Sequence, residues 1–377
     1  MKGIHMNRAI RTVLVLLVVL SLGVAGCSSS AKSESADVAA ALMAVNDLAG
    51  REVIVPAELE RVVAIGPGAL RLVVYAGGAD RVVGVEEIEK KPPISRPYTI
   101  ANPDLLKLPT IGPGGPDSTL DHELLLSVRP DVIFVSQLAD AQAADKLQSA
   151  TGVPVVVLSY GSVGSFDEAL FTSLDVVGTV IGSTARSDEV AEYIRTAWED
   201  LSLRTADIPE GEKPTVFVGA LGFKGMQGIE STQAKYPPFD ALSARNVAGD
   251  LEMPGSVIID KEKLLEWDPQ YLFLDRSGLR LVTDDAAVNR AFYEGLSAVE
   301  EGRVYSQLPF NNYWTNVEIA LADAYYAGTV MFPEEFADID PAAKADEIST
   351  FLVGAPVYDS LSEMYGGGFG AIELLKK

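Results

Sequence analysis

Short apolar runs alternate with amphipathic segments along most of the chain. Val53–Val55, Arg61–Ile65 and Arg81–Val85 are rich in β-branched residues and bounded by proline or glycine, which is typical of short strands. Ala69–Tyr75 lies between the last two runs and is followed by Gly77-Gly78, a helix stop signal. A strand, a helix and a strand within about 25 residues predict a parallel pair with a helical crossover.

The same alternation continues to residue 351. The further predicted strands are Leu108–Ile111, Val132–Ser136, the run "VPVVVLSY" at 153–160, Thr215–Gly219, Tyr271–Asp275 and Arg303–Tyr305, and the further predicted helices are His122–Val128, Ala141–Thr151, Ser165–Gly182, Thr184–Thr205, Asp240–Ala244, Ala286–Tyr293, Asn316–Met331 and Ala345–Phe351. Continuous apolar runs are typical of strands buried on both faces of a parallel sheet. We therefore expect α/β layers with strand ends that face a crevice.

One predicted helix is long enough to join two such layers. Thr184–Thr205 measures roughly 30 Å at a rise of about 1.5 Å per residue, and a new strand follows directly after Pro214. The predicted architecture is two Rossmann-like α/β lobes with parallel-rich sheets, residues 46–183 and 208–377, joined by a linker helix, residues 184–207. Such a rigid link predicts only a modest hinge motion.

A basic segment precedes an apolar run at the start of the chain. Lys2, Arg8 and Arg11 come before Val13–Leu22, which is too short to span a bilayer comfortably as a helix. This pattern predicts an export signal over residues 1–26. The mature chain is therefore expected outside the cytoplasm.

The end of this segment resembles the lipobox of bacterial lipoproteins. Val24-Ala25-Gly26-Cys27 places small residues before the single cysteine of the chain. The resemblance implies a lipid on Cys27 that anchors the protein to the cell membrane, and a plain signal peptide with an incidental cysteine is the alternative. Fatty-acid labelling that is lost in Cys27→Ala distinguishes the two. Residues 27–45 are rich in Ser and Ala and predict a flexible tether.

Charge narrows the range of partners. The formal charge is −23, and removal of Lys2, Arg8 and Arg11 with the signal peptide changes it to −26. So acidic a protein repels nucleic-acid phosphates, and nucleic-acid binding is not expected. Two explanations of the acidity stay open, namely a solvated surface and a cationic or metal-bearing ligand.

The sequence lacks the common catalytic and metal-binding motifs, so it gives no support to an enzyme. The chain contains no Gly-x-Ser-x-Gly, P-loop or His-Glu-x-x-His sequence, and "IGPGGP" does not have the dinucleotide-binding spacing. His122 is the only histidine after the predicted signal, which disfavours a bare zinc or manganese site. We predict no catalytic residue, no metal ligand and no cofactor. An exported hydrolase that uses paired carboxylates is the alternative from another class.

Several stretches together resemble one family. They are "DLAGREVIVPAELERVVAIGPGALRLVVYAGGADRVVGV", "LPTIGPGG", "ELLLSVRPDVIFV", "ALSARNVAGD" and "YWTNVEIALADAYYAGTVMFPEEF". Over about Asp47 to Tyr365 they are similar to the substrate-binding lipoproteins of ABC importers for iron–siderophore, haem and cobalamin, the class III periplasmic binding proteins.

The resemblance implies a function and partners. A monomer of this family holds its ligand between two lobes and delivers it to a permease dimer with its ATPase. An iron chelate of siderophore type is the expected ligand, and haem, cobalamin or a molybdate-type oxyanion are the alternatives. A tyrosinate from Tyr236 or Tyr313 is the candidate ligand to haem iron.

A motif occurs twice in the chain. Residues 121–130 and 260–269 both have the pattern Asp-x-Glu-x-Leu-Leu-x-x-x-Pro, and their aspartates are expected helix N-caps. Glu123 and Glu262 then lie in first helical turns. The resemblance implies that these two glutamates dock onto permease arginines, whereas complementing the helix dipole is the alternative role.

Loops at the predicted strand ends supply candidate ligand contacts. The candidates are Pro67, Gly68, Arg71, Gly114 within Gly112–Gly115, Gln137 and Tyr160-Gly161 in the first lobe, and Lys224, Gln227, Tyr236, Arg276, Tyr313 and Trp314 in the second. Arg71 follows a glycine loop, where it is placed to bind an anionic group or to pair with a surface glutamate. The aromatic residues predict flat walls for a macrocycle or aryl chelate, with packing between lobes as the alternative.

Overall fold

The computed structural model describes residues 41–115, 121–136, 138, 140–161, 166, 168–222, 225–251, 253 and 255–375. Ala40–Lys377 form one compact unit. The predicted signal peptide, Cys27 and the first part of the predicted tether lie outside the described residues. Among the helices of the described part, none is both long enough and apolar enough to cross a membrane.

The described chain begins with an antiparallel hairpin of β1 (Leu42–Asn46) and β2 (Glu52–Pro56). Val45, Val53 and Val55 are buried on its inner face. The folded region therefore starts earlier than the predicted tether boundary at residue 45. The physical reason is that Val45 pairs with Val53 and points to the same buried face, so β1 belongs to the folded hairpin.

The first sheet contains four parallel strands in the order β4-β3-β5-β6. Its region comprises β3 (Val62–Ile65), α1 (Ala69–Tyr75), β4 (Val82–Gly84), α2 (Glu87–Lys90), α3 (Pro97–Ala101), α4 (His122–Ser127), β5 (Val132–Ser136), α5 (Ala141–Thr151), β6 (Val155–Leu158) and α6 (Glu168–Ile181). The strand predicted at Leu108–Ile111 is reduced to a single bridge between Val85 and Thr110. Strand order reverses between β3 and β5, which makes their carboxyl ends a topological switch point.

The second sheet follows the helix α7 (Thr184–Arg204) and has the order β13-β12-β11-β7-β9. Its region comprises β7 (Thr215–Gly219), β8 (Ser231–Gln233), α8 (Pro237–Ala241), β9 (Arg245–Asn246), β10 (Ser256–Ile258), α9 (Lys261–Trp267), β11 (Tyr271–Asp275), α10 (Leu279–Val288), α11 (Arg290–Glu294), α12 (Ser297–Glu300), β12 (Val304–Gln307), α13 (Val317–Met331), α14 (Pro341–Val353), α15 (Tyr358–Met364) and β13 (Gly370–Ala371). Only β13 is antiparallel to its neighbour in this sheet. The predicted α/β class with two parallel-rich sheets is confirmed.

Helix α7 contacts both halves of the molecule, by which we mean the described residues before it and those after it. It packs against α1 and α6 on one side and α8 and α13 on the other. Near the carboxyl end of α7, Tyr325 donates a hydrogen bond to Asp200 (2.8 Å). Thr205, which follows α7, donates to the carbonyl of Leu242 (2.8 Å). One apolar cluster includes residues of both sheets, from Val45 to Leu361. The division into lobes at residues 183 and 208 stays a prediction, because this core is continuous.

Several helix boundaries differ from those predicted. Helix α8 begins at Pro237 and α14 at Pro341, in each case because proline is favoured in the first turn, where its missing N–H is not needed. The helix expected around Ala286–Tyr293 is instead two helices that meet at Asn289. The start of the predicted helix at Ser165 lies outside the described residues.

The two aspartates of the repeated motif both occupy N-cap positions. The carboxylate of Asp121 accepts hydrogen bonds from the backbone N–H groups of Glu123 (3.1 Å) and Leu124 (3.0 Å). Asp260 precedes α9 without a side-chain capping bond. The predicted position is thus confirmed for both aspartates, and the capping bond for Asp121 only.

Candidate functional site

A cavity of about 400 Å³ opens at the switch point of the first sheet. The hydroxyl of Ser136, which ends β5, donates to the carbonyl of Pro67 just after β3 (2.7 Å), so the two strand ends meet here. The side chains that shape the cavity, which we call the crevice, are Pro67, Ser136, Leu138, Asp140, Tyr160 and Trp314. Crevices at the carboxyl ends of parallel strands are the common ligand sites of open α/β sheets.

A larger cavity of about 630 Å³ lies elsewhere, between α7, α13 and α14. Its charged side chains are paired with one another: Arg204 contacts Asp338 at 2.7 Å, and Lys344 contacts Glu347 at 2.7 Å. It is also remote from the strand ends. These features describe a solvated groove between helices, so we place the candidate site in the crevice.

Trp314 reaches the crevice from a tight turn in the loop between β12 and α13. Residues 311–316, which we call the Trp314 turn, include a bridge between Asn311 and Thr315. Tyr313 and Trp314 both have positive φ, 55° and 74°. Two consecutive non-glycine residues in this region cost about 1 kcal/mol or more each, so other contacts must hold the turn.

The ring of Trp314 forms one wall of the crevice with Tyr160. Their ring centroids lie 6.4 Å apart at an interplanar angle of 54°. The indole Nε1 is buried, and among the residues that the structure describes it has no hydrogen-bond acceptor. A buried donor without a partner is unfavourable, and a ligand atom that accepts a hydrogen bond relieves it.

Arg71 holds the Trp314 turn in place. Its side chain is 0% exposed. Nε donates to the side-chain oxygen of Asn316 (3.1 Å), Nη1 to the carbonyl of Thr315 (2.8 Å) and to the hydroxyl of Tyr160 (3.4 Å), and Nη2 to the carbonyls of Asn312 (3.0 Å) and Tyr313 (3.3 Å). All five N–H groups are therefore directed at protein acceptors. In this arrangement Arg71 neither binds an anion in the crevice nor pairs at the surface, contrary to both predicted roles.

Tyr313 is directed at a buried carboxyl group that the sequence-based candidates omit. Its hydroxyl donates to Glu86 Oε2 (2.8 Å) and accepts from the backbone N–H of Gly115 (3.0 Å). The same oxygen of Glu86 accepts from the N–H of Gly66 (3.0 Å). Burial raises the pKa of Glu86 to about 7, although these hydrogen bonds oppose the rise. Glu86 follows β4 by two residues. The principle that ligand contacts lie in loops at strand ends, if applied to β4, would therefore have identified it.

The predicted glycine contacts serve close packing. Gly68 has φ +83°, and a Cβ there would lie 2.5 Å from the ring of Tyr160, whose hydroxyl donates to the Gly68 carbonyl (2.9 Å). A Cβ on Gly114, with φ +68°, would lie 2.6 Å from Ile88. Both glycines are required by the backbone and by their neighbours, and neither forms a wall of the crevice.

The candidates from the second half are divided between the crevice and the interior. Trp314 lines the crevice, whereas Tyr236 is fully buried and accepts a hydrogen bond from Gln307. Arg276 donates to the carbonyls of Gly368 (2.9 Å) and Gly366 (3.1 Å). The structure therefore directs both Tyr236 and Arg276 at protein groups instead of the crevice.

The remaining candidates are placed as follows. Gln227 lies in the loop between β7 and β8. Gln137 and Lys224 lie outside the described residues. Tyr160-Gly161 lines the crevice just beyond the end of β6, where loops at strand ends are expected to contact ligands.

The carboxyl edge of the second sheet is covered by protein. Asp275 and Gln307, which end β11 and β12, are 2% and 0% exposed. Burial raises the pKa of Asp275 to about 6 despite its hydrogen bonds from Ser277. Asp323, in α13, accepts a hydrogen bond from the backbone of Leu308 (3.2 Å), and burial also raises its pKa. The polar side chains at this edge are therefore buried in the protein interior. The crevice is formed mainly by the first sheet.

Metal-binding chemistry is not evident in the described residues. No group of three or more His, Cys, Asp or Glu side chains there is arranged to hold a metal ion. His122 is exposed on α4. Glu123 and Glu262 are exposed in the first turns of α4 and α9, so both side chains are accessible to a partner.

Two parallel-rich sheets linked by a long helix, with a crevice at strand ends, make up the α/β fold of this chain. The chain belongs to the periplasmic binding protein family, whose model matches residues 62–308. This confirms the resemblance seen in the sequence.

Three relatives illustrate the family. An uncharacterized ABC transporter substrate-binding lipoprotein, YvrC of Bacillus subtilis, is 19% identical and covers 78% of this chain and 88% of its own length. The molybdate-binding protein MolA of Haemophilus influenzae is 22% identical over 78% of this chain and 86% of its own, and its molybdate-bound structure aligns with a TM-score of 0.65 at 17% identity over 88% of this chain and 100% of that one. A periplasmic solute binding protein of Veillonella parvula aligns with a TM-score of 0.68 at 17% identity, over 86% of this chain and 97% of its own.

Proposed function

We propose that this protein is an extracytoplasmic substrate-binding lipoprotein that captures an iron chelate of siderophore type and delivers it to an ABC permease dimer with its ATPase. Membership of the periplasmic binding protein family supports the binding role. The B. subtilis relative is described as an ABC transporter substrate-binding lipoprotein, which supports the transport role and a lipid on Cys27. The protein acts as a monomer in this proposal.

The lining of the crevice is the single observation that carries the choice of ligand. Its walls include Tyr160, Trp314 and Pro67, and the buried indole N–H of Trp314 has no acceptor among the described residues. Among the described lining residues there is a carboxylate, Asp140, and no lysine or arginine. Such a surface suits a bulky, neutral or cationic ligand that carries acceptor oxygens. A ferric tris-hydroxamate chelate has these properties, since three hydroxamate anions neutralise Fe³⁺.

The other ligands differ in their support. Molybdate is the second candidate, because MolA binds it, but a dianion requires a dense set of donors, which the described lining does not provide. Haem ligation by Tyr236 is disfavoured, because burial raises the pKa of this hydroxyl well above its usual range. The hydroxyl of Tyr313 likewise has a raised pKa, owing first to burial and then to Glu86. Cobalamin stays an alternative that no described contact favours.

Titration of the purified mature chain tests the proposal. A ferric tris-hydroxamate chelate, haem, cobalamin and molybdate are each added, and binding is followed by calorimetry, while absorbance in the Soret region reports haem separately. We expect saturable binding of one ferric chelate per chain without chemical change to it. Binding of molybdate, haem or cobalamin in place of every ferric chelate overturns the ligand assignment, and turnover of a bound compound overturns the carrier role in favour of an exported hydrolase.

We also propose that Glu123 and Glu262 form the permease-docking surface. Their exposure and their equivalent positions in α4 and α9 support this role.

A further inference from the structure

Arg71 and the Trp314 turn belong to different halves of the molecule, and they are joined by a dense set of buried hydrogen bonds. The five contacts of Arg71 span 89 to 245 positions of sequence. Three of the acceptors are backbone carbonyls of the turn, at Asn312, Tyr313 and Thr315. A guanidinium group is suited to this task, since its rigid fork directs five donors at fixed angles, whereas an ammonium group has three donors and no such plane.

The conformation of the turn explains why it needs these hydrogen bonds from Arg71, which we call the Arg71 clamp. Tyr313 and Trp314 hold positive φ values that L-amino acids rarely adopt. Backbone strain of this kind persists only where surrounding contacts determine it, and it is concentrated at ligand sites. Here the contacts come from Arg71 on one side and from Glu86, through the Tyr313 hydroxyl, on the other.

The position of the indole is the consequence of that conformation. The turn places Trp314 beside Tyr160, and the hydroxyl of Tyr160 is itself an acceptor for Arg71. One guanidinium group therefore contacts the side chain of Tyr160 and the backbone of the turn that carries Trp314. The indole of Trp314 lines the crevice, and its buried Nε1 lacks an acceptor among the described residues.

We propose that Arg71 is a positioning residue that determines what the crevice accepts, by holding Trp314 so that its ring packs on the ligand and its N–H donates to an acceptor atom of the ligand. This inference rests on the proposed function and deepens it. The ligand class is a compound with a flat or apolar face and an exposed acceptor oxygen beside it. Arg71 itself does not touch the ligand.

The test uses Trp314 as a reporter. The chain has three tryptophans, so Trp198→Phe with Trp267→Phe leaves Trp314 as the only one. In this background of the full mature chain, Arg71→Lys should shift the Trp314 emission to longer wavelength and increase its quenching by acrylamide, because the turn relaxes. Arg186→Lys is the matched control, since Arg186 also bridges the halves through the carbonyls of Tyr75 and Phe351 but does not contact the turn.

Binding of a ferric tris-hydroxamate chelate gives the second readout. We expect Arg71→Lys and Trp314→Ala each to weaken binding about tenfold, and Trp314→Phe, which keeps a ring and removes the N–H, to weaken it roughly fivefold. Arg186→Lys should lower the melting temperature without changing affinity. A purely structural role for Arg71 predicts that both arginine variants lose stability and that neither changes affinity.

The outcomes separate this inference from the proposed function. If no ferric chelate binds the wild type, the ligand assignment fails, while the emission of Trp314 still tests the clamp. If Arg71→Lys and Arg186→Lys change the emission equally, or if neither changes it, the inference that Arg71 positions Trp314 is wrong. If Arg71→Lys does not fold, Asn316→Ser removes one acceptor of Arg71 and leaves the guanidinium in place, and an unchanged emission in that variant also overturns the inference.

Discussion

Glu86 lies where segments from both halves of the chain meet, and its carboxyl group is buried between them. Burial raises its pKa from the ordinary 4.5 to about 7, so the folded protein favours the protonated form. In the unfolded chain the same group ionises near 4.5. The stability that this group contributes is therefore fully present below about pH 4.5 and is lost as the pH rises through about 7.

Replacing Glu86 by glutamine should remove this pH dependence. We expect the free energy of unfolding of the wild type to fall relative to that of Glu86→Gln by about 3 kcal/mol between pH 4.5 and pH 7. Urea denaturation across this range measures the difference. Glu87→Gln, at the exposed neighbouring position, is the control and should keep the wild-type profile. Parallel profiles for wild type and Glu86→Gln would contradict the assignment.

Residue roles were the part of the site that the sequence predicted least well. Pro67 and Tyr160 lie at strand ends and line the crevice, because their positions follow from local strand signals. Their predicted contact with a ligand stays a prediction. Arg71 satisfies the same local rule, yet its acceptors lie 241 to 245 positions further along the chain, apart from Tyr160. No local pattern reveals such partners. The same applies to Tyr236, which is buried and accepts a hydrogen bond from Gln307, 71 positions away.

At the scale of elements, the contact between α6 and α7 depends on a glycine. Gly178 lies in α6, and a Cβ there would be 2.2 Å from the hydroxyl oxygen and 2.7 Å from the Cβ of Ser187 in α7. Ser187 is fully buried, so it has no room to move. The missing side chain of Gly178 thus lets the linker helix lie close against the first half.

Gly178→Ala should therefore destabilise the protein by about 1–3 kcal/mol, as overpacking usually does. An exposed helical position predicts the opposite sign, since alanine is favoured over glycine there by about 1 kcal/mol. Thermal and urea unfolding measure the change. Gly211→Ala is the control, since nothing lies within 4 Å of a Cβ at that position. A gain in stability for Gly178→Ala would show that α6 and α7 separate easily.

Elements with strong local signals were predicted with their observed bounds. Strands β5, β7 and β11 are apolar runs between polar boundaries. Helix α1 is followed by Gly77-Gly78, and helix α5 ends at Gly152. The short strands β8, β9 and β10 were missed, because each has only two or three residues and depends on its partner strand. Strand β1 is longer, with five residues, but it too is defined by its pairing with β2.

The molecule as a whole is joined more firmly than two lobes on a flexible hinge. One apolar cluster includes side chains from both sheets, and buried polar contacts such as Tyr75 with Glu318 connect α1 to α13. Opening the halves widely would expose both kinds of contact to water. The modest hinge predicted from the linker helix is consistent with this arrangement, and close-packed interfaces usually allow only small movements.

The proposed docking surface belongs to this scale, because Glu123 and Glu262 come from the two halves of the molecule and, in this proposal, bind one permease together. A firmly joined molecule keeps their separation nearly constant, which suits recognition by a partner with two equivalent sites. Reversing both charges, with Glu123→Arg and Glu262→Arg, should abolish binding to the permease complex, since like charges at an interface oppose association. Each single reversal should weaken it at least about tenfold.

Binding of the ligand-free protein to its permease in lipid nanodiscs measures this directly and needs no knowledge of the ligand. Glu192→Arg with Glu199→Arg is the matched control, because both glutamates are exposed on α7 and the change in net charge is the same. If the control loses binding as strongly as the double reversal, overall charge rather than a defined surface explains attraction to the permease. If the double reversal binds normally, the repeated motif reflects only two similar helix starts, each with a glutamate that complements the helix dipole.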